Sequence, residues 1–104
     1  MILINNLDEF KSALAYANEK LVVIDTYANW CGPCKQIAPF YEELSKKYTN
    51  VLFIKVNIDD SEDIAEHLGV KSLPTFYFYK NSSKIDILEG ANRQLLENCI
   101  IKHK

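Results

Sequence analysis

The sequence predicts an α/β fold, a mixed sheet of about five strands between two helical layers. Short β-branched runs alternate with segments whose apolar residues recur at helical spacing. The last two strand-like runs are separated only by Asn81-Ser82-Ser83, a hairpin connection. The chain has 104 residues, which predicts a single domain over 1–104 with one buried core. The order reads β-α-β-α-β-α-β-β-α. Helices join the first three strands, so these should be parallel, while the closing hairpin is antiparallel.

Each element has its own signal. Ile2 to Ile4 reads as a short strand. Asn6 caps the first helix, with Glu9 three residues on as its reciprocal partner, and Phe10, Leu14 and Ala17 form its apolar stripe. Leu21–Tyr27 is almost continuously apolar, as a central strand covered on both faces would be. A second helix follows Cys34 to about Thr49, with Phe40, Tyr41, Leu44 and Tyr48 at helical spacing and Pro39 inside it. Val51–Ile58 is the next strand. Asp59-Asp60-Ser61 supplies a cap for a short helix carrying Ile64, Ala65 and Leu68 and stopped by Gly69. Thr75–Lys80 and Lys84–Glu89 form the hairpin. Asn92 caps a last helix whose inner face is Leu95, Leu96, Cys99 and Ile100. His67 and His103 read as surface residues.

Composition excludes several classes. Twelve basic and fourteen acidic side chains give a net charge of −2, so no basic surface for nucleic acid is expected. No apolar run approaches membrane-spanning length. Three cysteines are too few for a secreted disulfide scaffold. Met1-Ile2-Leu3-Ile4 is followed by Asn5-Asn6 and acidic residues, which is not a signal-peptide pattern. A cytoplasmic monomer is expected.

The chemistry concentrates in Trp30-Cys31-Gly32-Pro33-Cys34. Two cysteines this close can close a small disulfide ring if the backbone turns tightly, and Gly32 permits such a turn. Pro33 suits the first turn of a helix, where its missing N–H costs nothing. Cys31 thus lies where a strand ends and a helix begins, facing unpaired N–H groups that favour an anion. A thiol there ionises more readily than a free cysteine, and the thiolate is the nucleophile. Cys31 is the expected attacking sulfur. Cys34, one turn inside the helix and less accessible, is the second sulfur. Asp25 is the other unusual residue, a carboxylate within an apolar strand. Burial would raise its pKa and make it a proton acceptor near neutral pH; a structural aspartate paired with a lysine or a backbone amide is the alternative.

These residues resemble the thioredoxin family nearly end to end. The W-C-G-P-C block is accompanied by Val23-Ile24-Asp25, Lys35, Ile37-Ala38-Pro39, Lys55-Val56-Asn57-Ile58-Asp59, Leu73-Pro74-Thr75-Phe76 and Gly90-Ala91. The resemblance implies the thioredoxin fold and a protein-disulfide reductase. Cys31 and Cys34 would be its redox disulfide, Asp25 the acceptor of the Cys34 proton through water, and Lys55 the lysine near that carboxylate. It implies a cis Pro74 facing the dithiol, with the Leu73 backbone free to pair with an extended substrate. Trp30, Gly32, Pro33, Leu73, Gly90 and Ala91 would form an apolar docking surface. No cofactor would be bound, since electrons would come from NADPH through a thioredoxin reductase. Clients would include peroxiredoxins, ribonucleotide reductase and methionine sulfoxide reductases. Asn29, Thr26-Tyr27 and Ser82-Ser83 depart from the usual family residues.

Two other functions compete. An oxidase or isomerase of the same fold often carries Gly-His between its cysteines, and Gly32-Pro33 argues against it. A zinc module could use Cys31, Cys34, Cys99 and His103, the last two being a helical i, i+4 pair. Cys99 otherwise reads as a small core residue or a regulatory thiol.

Overall fold

The alternating strand and helix signals become nine elements in a computed structural model that describes residues 1–104. These are β1 (Ile2–Leu3), α1 (Leu7–Ala17), β2 (Val22–Tyr27), α2 (Gly32–Lys47), β3 (Leu52–Asn57), α3 (Glu62–Leu68), β4 (Thr75–Lys80), β5 (Ser83–Glu89) and α4 (Arg93–His103). The sheet order is β1-β3-β2-β4-β5. β1, β3 and β2 are parallel, and β4 and β5 join antiparallel. The expected mixed sheet between two helical layers is the thioredoxin fold.

β2 explains why the sheet is covered on both sides. Successive strand side chains point to opposite faces. Val22 and Ile24 join Phe10, Leu14, Ile64 and Leu68 beneath α1 and α3. Leu21 and Val23 flank the other core, with Ile37, Tyr41, Leu44, Leu96 and Ile100 of α2 and α4. Phe76 and Phe78 fill that second core and are fully buried. Burying such a side chain stabilises by roughly 1.5–3 kcal/mol before entropy is counted. The same alternation aims Asp25 at the α2 face.

Local signals were mostly realised. Asn6 Oδ1 accepts the Glu9 N–H at 2.9 Å, but Glu9 Oε1 accepts from Asn5 N–H at 2.8 Å rather than from Asn6. Asn92 Oδ1 accepts the Leu95 N–H at 2.9 Å. Gly69, at φ +71°, ends α3 in the left-handed conformation that favours glycine. Ser61 occupies the α3 N-cap without a side-chain cap bond; its hydroxyl instead donates to the Ile4 carbonyl at 3.3 Å. The hairpin turn is two residues, Asn81 and Ser82 at φ +51° and +62°, because Ser83 already pairs with Lys80.

α4 departs most from expectation. Leu96 and Ile100 are buried, but Leu95 is 50% exposed, because the buried stripe of this helix is only one residue wide per turn. Cys99 and His103 are half-buried rather than core and surface. Their i, i+4 spacing places both on the flank that meets β5, where Asp86 supplies a polar partner. His67 stays exposed, its ring edge-on to Phe10.

Candidate active site

Strand β2 ends at Tyr27, and the chain turns through Ala28–Trp30 into α2. Cys31 is the N-cap of α2, with extended backbone at φ −88° and ψ 109°. Its Sγ accepts the Cys34 N–H at 3.3 Å. Pro33 stands in the first turn, where no helical donor is lost. Cys31 and Cys34 are joined as a disulfide, with Cα atoms 5.3 Å apart. Gly32 is an ordinary helical residue, not a strained turn, and space is open where a side chain would begin. The turn expected of Gly32 is thus made by ordinary helical backbone.

The two sulfurs do not differ in exposure as expected. Cys31 is 5% exposed and Cys34 4%. Ala28 packs against both, with Tyr27, Ile58 and Leu73 around them. What distinguishes them is the space each lines. Cys31 lines a groove of about 390 Å³ with Trp30, Gly32, Pro33 and Leu73. Ile58, Val70, Lys71 and Ser72 complete it, and none of these was foreseen as a groove residue. Cys34 lines a separate cavity of about 380 Å³ with Asp25 and Lys55.

Asp25 is buried, and its Oδ1 has no hydrogen-bond partner. Burial pushes its pKa up to about 7, with the Lys55 ammonium opposing part of the rise. Lys55 is opposite Asp25 in the β2–β3 register. Its Nζ sits over the Tyr27 ring, 4.6 Å from the centroid, so it acts on the carboxylate through its field. No lysine or backbone amide bonds Oδ1, which leaves it an open acceptor position. Such an oxygen is suited to accept a proton.

The residues expected to form a docking surface are only partly assembled. Trp30 is 69% exposed and is held by its Nε1–H, which donates to Asp59 Oδ2 at 3.0 Å. Asn57 Oδ1 accepts the Asp59 N–H at 2.9 Å, and Asn57 Nδ2–H donates to Asn29 Oδ1 at 3.4 Å. The sequence places Asp59 in a helix cap and in a family motif, but not as a partner of Trp30. The available signal was an acidic residue just past β3, whose end lies beside that of β2. The Leu73–Pro74 peptide is cis, and the Pro74 carbonyl accepts the Gly90 N–H at 2.9 Å. The Leu73 N–H and carbonyl make no backbone hydrogen bond. Gly90 adopts φ +96°, a conformation that strains other residues. Pro74, Gly90 and Ala91 do not line the groove; Pro74 is buried, and Ala91 packs on the α2–α4 core.

The thioredoxin family model matches residues 1–102. The chain belongs to the thioredoxin family. It is 52% identical over 103 residues to thioredoxin of Ictalurus punctatus, covering 97% of this chain and 96% of that protein. The solved structure of Plasmodium falciparum thioredoxin is 46% identical, with a TM-score of 0.95 and full coverage of both chains. Another similar chain comes from work on the thiol-resolving mechanism of a yeast mitochondrial 1-Cys peroxiredoxin via glutathione/thioredoxin systems. It is 36% identical, with a TM-score of 0.91, covering 98% of this chain and 94% of that one. The protein is a thiol-disulfide oxidoreductase of the protein-disulfide reductase type, with Cys31–Cys34 as its redox pair. Thioredoxins normally bind no cofactor. The four-residue zinc set is not assembled: Cys99 and His103 meet Asp86, not the dithiol. No helix is long and apolar enough to cross a membrane.

Proposed function

We propose that the chain acts as a single thioredoxin domain in which Cys31 attacks protein disulfides and Cys34 resolves the mixed disulfide. The observation that carries this division is that the two sulfurs line different spaces. Cys31 faces the groove with Trp30 and Leu73, while Cys34 faces the cavity with the unpaired oxygen of Asp25.

A substrate lies in the groove against Trp30, Gly32 and Pro33, and pairs with the free backbone groups of Leu73 beside Pro74. Gly90 and Ala91 border its path beyond the groove. The Cys31 thiolate, favoured by the α2 N-terminus and the Cys34 N–H, attacks one substrate sulfur. A Cys31–substrate disulfide forms, the substrate S–S bond breaks, and the first substrate thiolate takes a proton from solvent. Asp25 then accepts the Cys34 proton through water, with Lys55 keeping its carboxylate ionisable. The Cys34 thiolate attacks Cys31, the second substrate thiolate leaves and is protonated, and the Cys31–Cys34 disulfide closes. Two electrons have passed to the substrate. They are restored by a thioredoxin reductase drawing on NADPH, in electron transport that maintains cell redox homeostasis in the cytoplasm. The peroxiredoxin study of a similar chain supports peroxiredoxins as clients; ribonucleotide reductase is a second client class.

The reduction potential tests the direction of this chemistry. A strongly stabilised thiolate makes a dithiol oxidising. Here the stabilisers are one helix terminus and one amide; Pro33 adds neither donor nor charge, and ionised Asp25 repels a thiolate. The potential should lie below the endoplasmic reticulum poise of roughly −180 to −210 mV. Equilibration in glutathione or dithiothreitol buffers, followed by Trp30 fluorescence, measures it. A value at or above that poise would favour an oxidase or isomerase. Pro33→His should raise the potential by roughly 30 mV or more, because an imidazolium beside Cys31 favours the thiolate.

A further inference from the structure

We propose that Asp86, Cys99 and His103 form a binding site for a borderline-soft divalent cation of the zinc type, remote from the dithiol. The three side chains come from β5 and from one face of α4. One ligand atom from each, a carboxylate oxygen, the Sγ and a ring nitrogen, lies within 4.8 Å of the other two. His103 Nε2 is 2.8 Å and Cys99 Sγ 3.4 Å from Asp86 Oδ2. Around a tetrahedral zinc, bond lengths of about 2.0–2.3 Å separate neighbouring ligand atoms by roughly 3.4–3.6 Å. The atoms therefore need to move by only about an ångström to admit the ion. Thiolate, imidazole and carboxylate are the three ligand types that zinc accepts.

The surroundings hold this geometry in place. Asp86 Oδ1 accepts the Ile87 N–H at 2.9 Å, which leaves Oδ2 turned toward α4. The His103 carbonyl accepts from Lys80 Nζ at 2.7 Å, which ties the end of α4 to the sheet. The His103 ring lies 6.3 Å from that of Phe78. Such outer partners orient metal ligands. The site is half-buried and not sealed, with 34% of the Asp86 side chain and 17% of the His103 side chain exposed. An ion can enter, and a water molecule takes the fourth position. On binding, the Cys99 thiol proton passes to solvent, the imidazole binds through Nε2 as the neutral ring, and no redox change occurs.

The oxidised protein isolates this site, because both sulfurs of the dithiol are then locked in the disulfide. One titratable thiol per chain confirms that starting state. Cobalt(II) is added as a zinc probe, then displaced with zinc. The expected result is one cobalt per chain, with thiolate-to-cobalt charge-transfer absorption that zinc abolishes. Cys99→Ser should remove the absorption, and His103→Ala and Asp86→Asn should each weaken binding at least tenfold. The tenfold figure is a lower bound, since loss of an outer-shell partner alone costs about 10–100-fold. Zinc should also raise the thermal midpoint of the oxidised wild type and not that of His103→Ala, because an ion that binds only the folded state stabilises it. No charge-transfer band in the oxidised protein, or binding unchanged in the folded His103→Ala variant, would overturn the site.

Discussion

Replacing Cys34 with serine should abolish multiple-turnover disulfide reduction and leave mixed disulfides with client proteins, whereas Cys31→Ser should abolish turnover without trapping clients. Cys31 is the sulfur on the groove that a substrate can reach. Without Cys34 nothing in the site can attack the mixed disulfide, since Cys99 lies with Asp86 and His103, away from the dithiol. Serine at position 31 removes the attacking atom, and Cys34 opens on the Asp25 cavity rather than the groove. Turnover should fall by at least about 10³-fold in both variants, as expected when a covalent nucleophile or its resolving partner is lost. The measurement incubates each variant with oxidised lysate and compares reducible adducts on a gel. Equal adduct yields would contradict the division of labour.

Asp25→Asn should slow reduction and stabilise the oxidised fold, both effects depending on pH. The folded-state pKa of Asp25 is pushed up to about 7 from an ordinary 3.8 by burial. Between these values the folded state binds one more proton than the unfolded state, so stability falls as pH rises. The difference of about 3 units costs about 4 kcal/mol once pH exceeds 7, and nothing below about pH 4. The asparagine amide is itself imperfectly satisfied there, which offsets about 1–3 kcal/mol. A net gain of roughly 1–3 kcal/mol is expected at pH 8, shrinking toward acid pH. Denaturant unfolding of wild type and variant, with the disulfide intact, should give curves that diverge from pH 4 to 7 and then run parallel. Turnover near neutral pH should drop by up to roughly 10²-fold, the low end for a positioned base. Turnover unchanged between pH 6 and 8 would make Asp25 structural only.

Much of this was legible in the chain because it depended on local order. Pro33 after Cys31, with a β-branched run before and helical spacing after, specifies where the sulfurs sit. Asp25 stood out because a carboxylate is unusual within an apolar strand, and it is buried there with Oδ1 unpaired. The features missed depend on neighbours distant in sequence. Trp30 is held by Asp59, Ser61 bonds Ile4 instead of its own helix, and Asp86 draws Cys99 and His103 into one cluster. No periodicity encodes such pairs. The equal burial of Cys31 and Cys34 was missed for a related reason: exposure of an N-cap residue is set by what packs over it, here Ala28, Ile58 and Leu73. Leu95 faces outward because α4 is buried along a stripe narrower than its composition suggests.

Two equally buried sulfurs should differ in reactivity, and competitive alkylation of the fully reduced protein measures that difference. Limiting iodoacetamide is added at pH 7, and peptide masses report which cysteine has reacted. The Cys31 sulfur has the α2 N-terminus and the Cys34 N–H to favour its thiolate, together with the open side of the groove. Cys99 is held back because burial and Asp86 push its pKa up to about 12. Cys31 should be modified at least about tenfold faster than either Cys34 or Cys99, in keeping with selective reaction of the favoured thiolate. Equal rates at Cys31 and Cys34, or faster reaction at Cys34, would contradict the assignment.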